Sequence, residues 1–324
     1  MSFLPPETRT YLFQTLDPLH VGTGGTRLGR VDNTVARDPA TRLPKAPGSG
    51  LSGAVKDAYD LKLCNNGKTT RCAGAHGCGN DECRVCTLFG TAPSDEAGSG
   101  SNNKAKRGIM AFHDALLVAM PVASLLGPAW IVEQEFAFRL GLITEQLSGL
   151  PNPDVAAPFS LKAWGDKVNL GSFLFPCNSA VPYEDSTTEK LNEKIEFLIS
   201  NGVIADDFLK IAAGMVACHP SVFPLIVDTA MEVRTSVTID PYTGAAKPQA
   251  LFTLEAVPAG AVFQTDLNFL GGEFPEKAFQ EGDNTARHLF TAIEQDGFDY
   301  LRMTGMGGNV TRGFGRVRFF GRWK

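Results

Sequence analysis

Twenty-three residues, Cys64 to Cys86, hold five of the chain's seven cysteines in the segment CNNGKTTRCAGAHGCGNDECRVC. The rest of that stretch is mostly Gly, Asn, Asp and charge, with too little apolar surface to order itself by burial. A metal ion is what could order it. Zinc takes four soft ligands in a tetrahedron, and a C-x₂-C pair supplies two from one tight turn. Cys83 and Cys86 form such a pair, with Cys78 and Cys72 upstream as the other two first-choice ligands. Cys64 and His76 stand in reserve. Four protein thiolates would close the site, so the expected zinc is structural rather than catalytic. A disulfide pair and free thiols are the weaker alternatives. Cys177 and Cys218 stand alone among apolar neighbours and read as core residues.

The 324 residues are 43% hydrophobic and 20% charged, enough to build a large core and too apolar for a disordered chain. Thirty-four glycines and 20 prolines are too many for a helix bundle and point to a loop-rich α+β or β-rich fold. A net charge of −5 excludes nucleic-acid binding by bulk charge and leaves local patches. The start, MSFLPPETRT, lacks the basic residues and apolar run of a secretory signal, so a cytoplasmic location is expected. Ala115 to Val132 carries no charge but contains two prolines and a glycine. It reads as a buried strand, Ile109 to Met120, with a turn, rather than a membrane span.

Along the chain, RTYLFQTL from Arg9 to Leu16 has the composition of a strand, and Gly48 to Leu63 that of a helix with Leu51, Val55, Ala58 and Tyr59 on one face. TEKLNEKIEFLISNG predicts a helix capped by Thr187 or Thr188. Ala205–Ala217 and Thr285–Asp296 predict two more. Residues 232–257 predict a hairpin around the turn PYTGAAKP, and RVRFFGRW a final strand.

Two basic patches stand out. From His20 to Lys56, Arg27, Arg30, Arg37, Arg42, Lys45 and Lys56 face only Asp32 and Asp38. From Leu301 to Lys324 there are five arginines and a lysine but no acid. The second patch contains GMGGNVTRGFG, whose glycines would let a polyphosphate approach the main chain, with Arg312 as a charged fork and Phe314 as a ring for stacking or for the core.

The segment LDPLHVGTGGTRLGRVDNTVARDPATRLPKAPGSGLSGAVK resembles the opening of RAMP-superfamily proteins of type III CRISPR effector complexes. The resemblance continues colinearly through CRVCTLFG, the tract around Gly127-Pro128, EVRTSVTIDPYTGAAKPQALFTLEAVP and TRGFGRVRF, and covers nearly the whole chain. It is greatest to the repeating backbone subunit of the Cmr complex (type III-B), with the Csm counterpart the nearest alternative.

The resemblance implies an α+β fold: a modified RNA-recognition-motif (ferredoxin-like) palm with a zinc-binding insertion and a projecting β-hairpin thumb. In these terms residues 1–324 are one domain with insertions. Residues 64–107 are the zinc-binding insertion with a mobile loop, and 232–257 the thumb. The partners implied are a guide RNA, complementary target RNA, further copies of the chain in a helical filament and the other subunits of the effector, with no membrane. The activity implied is metal-dependent cleavage of target RNA at regular intervals, with Asp32 as the catalytic carboxylate, His20 as a proton shuttle and Mg²⁺ or Mn²⁺ as cofactor. The guide-binding residues implied are Arg30, Arg37, Ser49, Ser52, Lys56, Gly307, Gly308, Arg312 and Phe314. The chain departs from the family pattern at Gly50 and Ser52, where a second serine and a lysine are usual. Glu255 is a further acidic candidate, but Ala256 follows it and no tyrosine role carries over. The alternative function is an inert RNA-binding scaffold of the same shape.

Overall fold

The computed structural model describes residues 3–24, 31–65, 71–72, 78, 80–92, 105–140, 157–158, 166–177, 185–198, 204–279 and 285–324. Their centre is a mixed sheet. Its inner strands run in the order Val317–Trp323, Glu7–Thr15, Val262–Phe269 and Ala115–Val122, each antiparallel to the next. Ile195–Phe197 extends one side, and Ala129–Glu133, Met215–Cys218 and Ala157–Pro158 the other. The pairing of Ala129–Glu133 with Met215–Cys218 is parallel.

Alternation along each strand sends successive side chains to opposite faces. Tyr11 and Phe13 join one core cluster while Leu12 joins another, and Phe263 and Val262 divide likewise. Phe13 stacks on Phe263 with ring centroids 5.3 Å apart and meets Phe319 at 4.9 Å.

The first face is covered by the helix Gly48–Asn65 and by Ala286–Ala292, which widens into a π-helical turn over Ile293–Phe298. Leu51, Val55, Ala58 and Tyr59 are fully buried there, as their spacing predicts. Gly297 allows the close approach of these helices, since a Cβ there would lie 2.8 Å from Val55 Cγ1. Gln134–Arg139 and Ile204–Ala213 cover the opposite face, with Phe136, Phe208 and Ile211 packed near Leu12, Val262 and Phe320.

Two helix predictions are corrected. The helix at Asp185–Lys194 stops before Ile195, and Ile195–Phe197 pairs as an edge strand with Gly321–Trp323. The helix at Ile204–Ala213 gives way to the strand Met215–Cys218, all of it buried. In both places pairing with a distant strand overrides a local helical pattern. The predicted strand Ile109–Met120 divides into Met110–Phe112 and Ala115–Val122. Cys218 is buried and its thiol is pushed up to about 12, whereas Cys177 is only half-buried. Among the described residues no helix is long and apolar enough to cross a membrane.

The predicted hairpin pairs Glu232–Ile239 with Ala246–Ala256. Asp240 builds its turn: Oδ1 accepts from the Tyr242 and Thr243 N–H groups. Val233, Val237, Leu251 and Tyr242 are exposed along it, Tyr242 at 96%.

Candidate functional site

The segment after the first glycine-rich loop is fastened to the second hairpin strand. Asn33 N–H donates to Thr253 O at 3.1 Å, and Glu255 N–H returns a bond to Asn33 O at 2.9 Å. Asp32 stands at the head of this short parallel bridge. Its Oδ2 accepts from Thr253 N–H at 2.7 Å and from Thr253 Oγ1 at 3.0 Å, while Asp32 N–H donates to that hydroxyl oxygen at 2.9 Å. These bonds hold the Asp32 carboxyl below the usual carboxylate range, the backbone bond from Thr253 contributing most. Oδ1 has no hydrogen-bond partner among the described residues. Asp32 is thus an ionised, solvent-facing carboxylate with one oxygen tethered.

His20, in contrast, is 7% exposed. Its Nδ1 lies 2.7 Å from Glu255 O, and because a carbonyl only accepts, the proton sits on Nδ1. The ring is a strut between the hairpin and the glycine-rich loop, and the bond at Nδ1 leaves Nε2 as the nitrogen that could exchange a proton. That loop presses on it closely, with Gly308 N–H donating to His20 O at 2.8 Å. A Cβ at Gly307 would lie 2.4 Å from the same oxygen.

Glu255 and Arg37 hold the next turn of the segment. Glu255 Oε2 accepts from Val35 N–H at 3.0 Å, and Oε1 from Arg37 at 2.7 Å. Arg37 also bonds Asp228 at 2.6 Å and the Arg42 carbonyl at 2.9 Å. Its guanidinium is thus engaged by protein groups. Together these residues line a cavity of about 450 Å³ beside Thr34, Asp38 and Pro39.

Phe314 takes the core alternative of its two readings: it is 5% exposed among Leu254 and Ala256, with Arg234 stacked 4.6 Å from its ring centroid. Lys56 is half-buried and donates to Gly90 O at 3.1 Å, facing the cysteine segment. Arg312, Gly307 and Ser49 are exposed, and Ser52 and Gly308 partly so. Arg312 has no ion pair among the described residues. Val21 lies between the two loops: a Cβ at Gly50 would be 3.9 Å from Val21 Cγ1, and one at Gly307 3.3 Å from its Cγ2. The helix start and the glycine-rich loop therefore share one surface. Arg30 lies outside the described residues.

Cys72, Cys78, Cys83 and Cys86 converge, with all four sulfurs within 4.8 Å of one another. The Cys72–Cys83 and Cys78–Cys86 Sγ separations are both 3.6 Å. Four thiolates about 2.3 Å from a tetrahedral zinc have edges of about 3.8 Å, so the cluster could hold a metal ion. Cys83 precedes the short helix Arg84–Phe89 that carries Cys86. Asp60, fully buried on the long helix, accepts from Cys72 N–H at 2.7 Å and fixes that ligand's backbone. The side chain of Cys64, and His76 altogether, lie outside the described residues.

Sequence reasoning missed Thr253, the Arg37–Glu255 clamp and Asp60. Thr253 and Glu255 lie more than two hundred residues from their partners, and only the fold brings them there.

The RAMP superfamily model matches residues 12–318. The chain belongs to the RAMP superfamily. Over 86 residues it is 34% identical to the CRISPR system Cms endoribonuclease Csm3 of Methanothermobacter thermautotrophicus, a match spanning 25% of this chain and 32% of that relative. The fold is similar to a chain of the type III-B Cmr-beta complex bound to cognate target RNA, with a TM-score of 0.62, 15% identity and 97% of each chain covered. Oligomeric Cmr4 from Pyrococcus furiosus superposes with a TM-score of 0.53 and 18% identity, over 96% of this chain and 97% of that one. At these identities the RAMP likeness to solved structures is one of fold.

Proposed function

We propose that this RAMP protein is a guide-RNA-binding backbone subunit of a type III CRISPR effector, of the repeating Cmr kind, that cuts complementary target RNA at regular intervals in the cytoplasm. The observation that carries this reading is Asp32, an exposed, ionised carboxylate tied to the base of a projecting hairpin. The inner strand order, with two helices on one face, supports reading the core as a modified RNA-recognition-motif palm. The hairpin's length and exposure support its reading as a thumb.

In the proposed reaction the target's own 2′-hydroxyl gives up its proton to water and attacks the adjacent phosphorus, forming a 2′,3′-cyclic phosphate. The P–O5′ bond breaks and the 5′-oxygen leaves with a proton from water. Regular A-form geometry keeps that hydroxyl out of line, so the hairpin must first wedge the strand open. Asp32 Oδ1 then orients the 2′-hydroxyl, while Arg312 and the Gly307 amide hold guide phosphates beside Gly308, Ser49 and Ser52. A lone carboxylate holds Mg²⁺ or Mn²⁺ only together with water and phosphate oxygens. Such an ion supplies charge stabilisation to the phosphorane. The four cysteines hold structural zinc.

The test incubates the assembled complex with end-labelled complementary RNA. Asp32→Ala and EDTA should each abolish cutting, with guide binding and assembly intact. Shortening the turn Asp240–Ala245 should abolish regularly spaced cuts while guide binding survives. Cutting by Asp32→Ala at the wild-type rate would move the active site elsewhere and favour the scaffold reading. The 86-residue match favours a second reading, the Csm-type counterpart. The subunits that co-purify with the chain decide between the two.

A further inference from the structure

We propose that Thr253 is the positioning residue for Asp32, which rests on the reading of Asp32 as the catalytic carboxylate. An exposed aspartate on a glycine-rich loop would ordinarily sample several rotamers, and its carboxylate would point at the scissile ribose only part of the time. Here one residue removes that freedom. Thr253 N–H and Oγ1 both donate to Asp32 Oδ2, at 2.7 and 3.0 Å. The same Oγ1 accepts Asp32 N–H at 2.9 Å, and Thr253 O accepts Asn33 N–H at 3.1 Å.

Both ends of the aspartate, backbone and side chain, are therefore referred to one hydroxyl. Threonine suits this task because branching at Cβ restricts χ1 and pre-places the hydroxyl on the strand. The arrangement saturates Oδ2 and leaves Oδ1 as the oxygen offered outward. Thr253 itself lies opposite Thr235 within the hairpin ladder. The carboxylate is consequently aimed by the hairpin strand, which supplies its side-chain bonds among the described residues. Thr253 touches no reacting atom in this scheme, and its effect passes through Asp32.

The experiment uses the guide-loaded complex under single-turnover conditions, with saturating end-labelled complementary RNA. It compares Thr253→Val, Thr253→Ser and Asp32→Ala. Valine keeps the branched shape and the backbone N–H but lacks the hydroxyl, so it frees part of the carboxylate's motion. Since a displacement near 1 Å costs a reaction about a hundredfold, Thr253→Val should slow the cleavage step by about ten- to a hundredfold. Target affinity, guide content and circular dichroism should stay at wild-type values. Serine restores the hydroxyl and should bring the rate back to within a few-fold.

A wild-type rate for Thr253→Val beside an inactive Asp32→Ala would overturn the role of Thr253 alone. Equal losses in the valine and serine variants would overturn it too, because the hydroxyl would not be the operative group. Weakened target binding with an unchanged saturated rate would assign Thr253 to binding and also overturn it. Wild-type cutting by Asp32→Ala would instead overturn the underlying reading of the site.

Discussion

Arg312 and Lys56 lie in patches that look alike in the sequence, yet their surroundings differ. Arg312 is exposed on the turn Val310–Arg312, preceded by Asn309 in the left-handed region at φ 59°. Lys56 is engaged with the Gly90 carbonyl. Arg312→Ala should therefore weaken guide binding and flatten the slope of log K against log salt by about 0.7–0.9, one phosphate contact. Lys56→Ala should leave that slope unchanged. A filter-binding titration from low to high salt measures both. At this scale Asp32 was legible only through the resemblance of its segment to the RAMP family, since composition leaves it one of two acids among six basic residues. The fates of Arg37, Phe314 and His20 were not. Each depends on a partner supplied by the hairpin, namely Glu255, Arg234 and the Glu255 carbonyl.

Among the elements, the long helix Gly48–Asn65 joins two regions. Its first residue donates to Asp114 Oδ1 at 2.8 Å, and Asp114 Oδ2 pairs with Lys45 at 2.6 Å. The Lys45 hydrogen bond, followed by the Gly48 N–H, holds the Asp114 carboxyl below its usual range. A depressed folded-state value stabilises the fold above the unfolded-state pKa, and that contribution is lost as pH falls through the folded value. Asp114→Asn should thus cost about 0.5 kcal/mol at neutral pH, small because both side chains are open to screening water. Melting curves of wild type and variant should converge in strongly acidic buffer. The far end of the helix anchors Cys72 through Asp60. Elemental analysis should give about one zinc per chain, and Cys83→Ser should lower both the zinc content and the melting temperature. A metal-free preparation with an unchanged melting temperature would refute the structural role.

The four cysteines could be read from sequence because their spacing is local. The strands Ile195–Phe197 and Met215–Cys218 could not. Short runs such as Ile-Glu-Phe or Met-Val-Ala-Cys after a helix look the same whether the helix continues or a strand begins. The choice is made by partners at Gly321–Trp323 and Ala129–Glu133.

Across the whole molecule, both faces of the central sheet are covered. Tyr11, Phe13 and Phe319 are buried under Gly48–Asn65 and Ala286–Phe298, and Leu12, Val262 and Phe320 under Gln134–Arg139 and Ile204–Ala213. RNA-recognition motifs read RNA with aromatics on an open sheet face, and here that face is closed. Under the proposed function, RNA is left the loops and the hairpin. Phe320→Ala, on the face opposite the two helices, should cost ~3–5 kcal/mol of stability, seen as a lower urea midpoint. The protein that remains folded should bind guide RNA with unchanged affinity. A selective loss of RNA binding without destabilisation would place RNA on the sheet after all.

The strand Glu7–Thr15 sits between Val262–Phe269 and Val317–Trp323, both made from the far end of the chain. During synthesis it leaves the ribosome with neither neighbour in existence. Some 250 further residues must be translated before the first partner emerges, roughly 12–50 s at ~5–20 residues per second. Throughout that interval the apolar stretch Tyr11–Leu12–Phe13 has no sheet to join. The earliest strand of the central sheet is among the last to be housed, so holding the nascent chain apart from its neighbours is a requirement written into the topology.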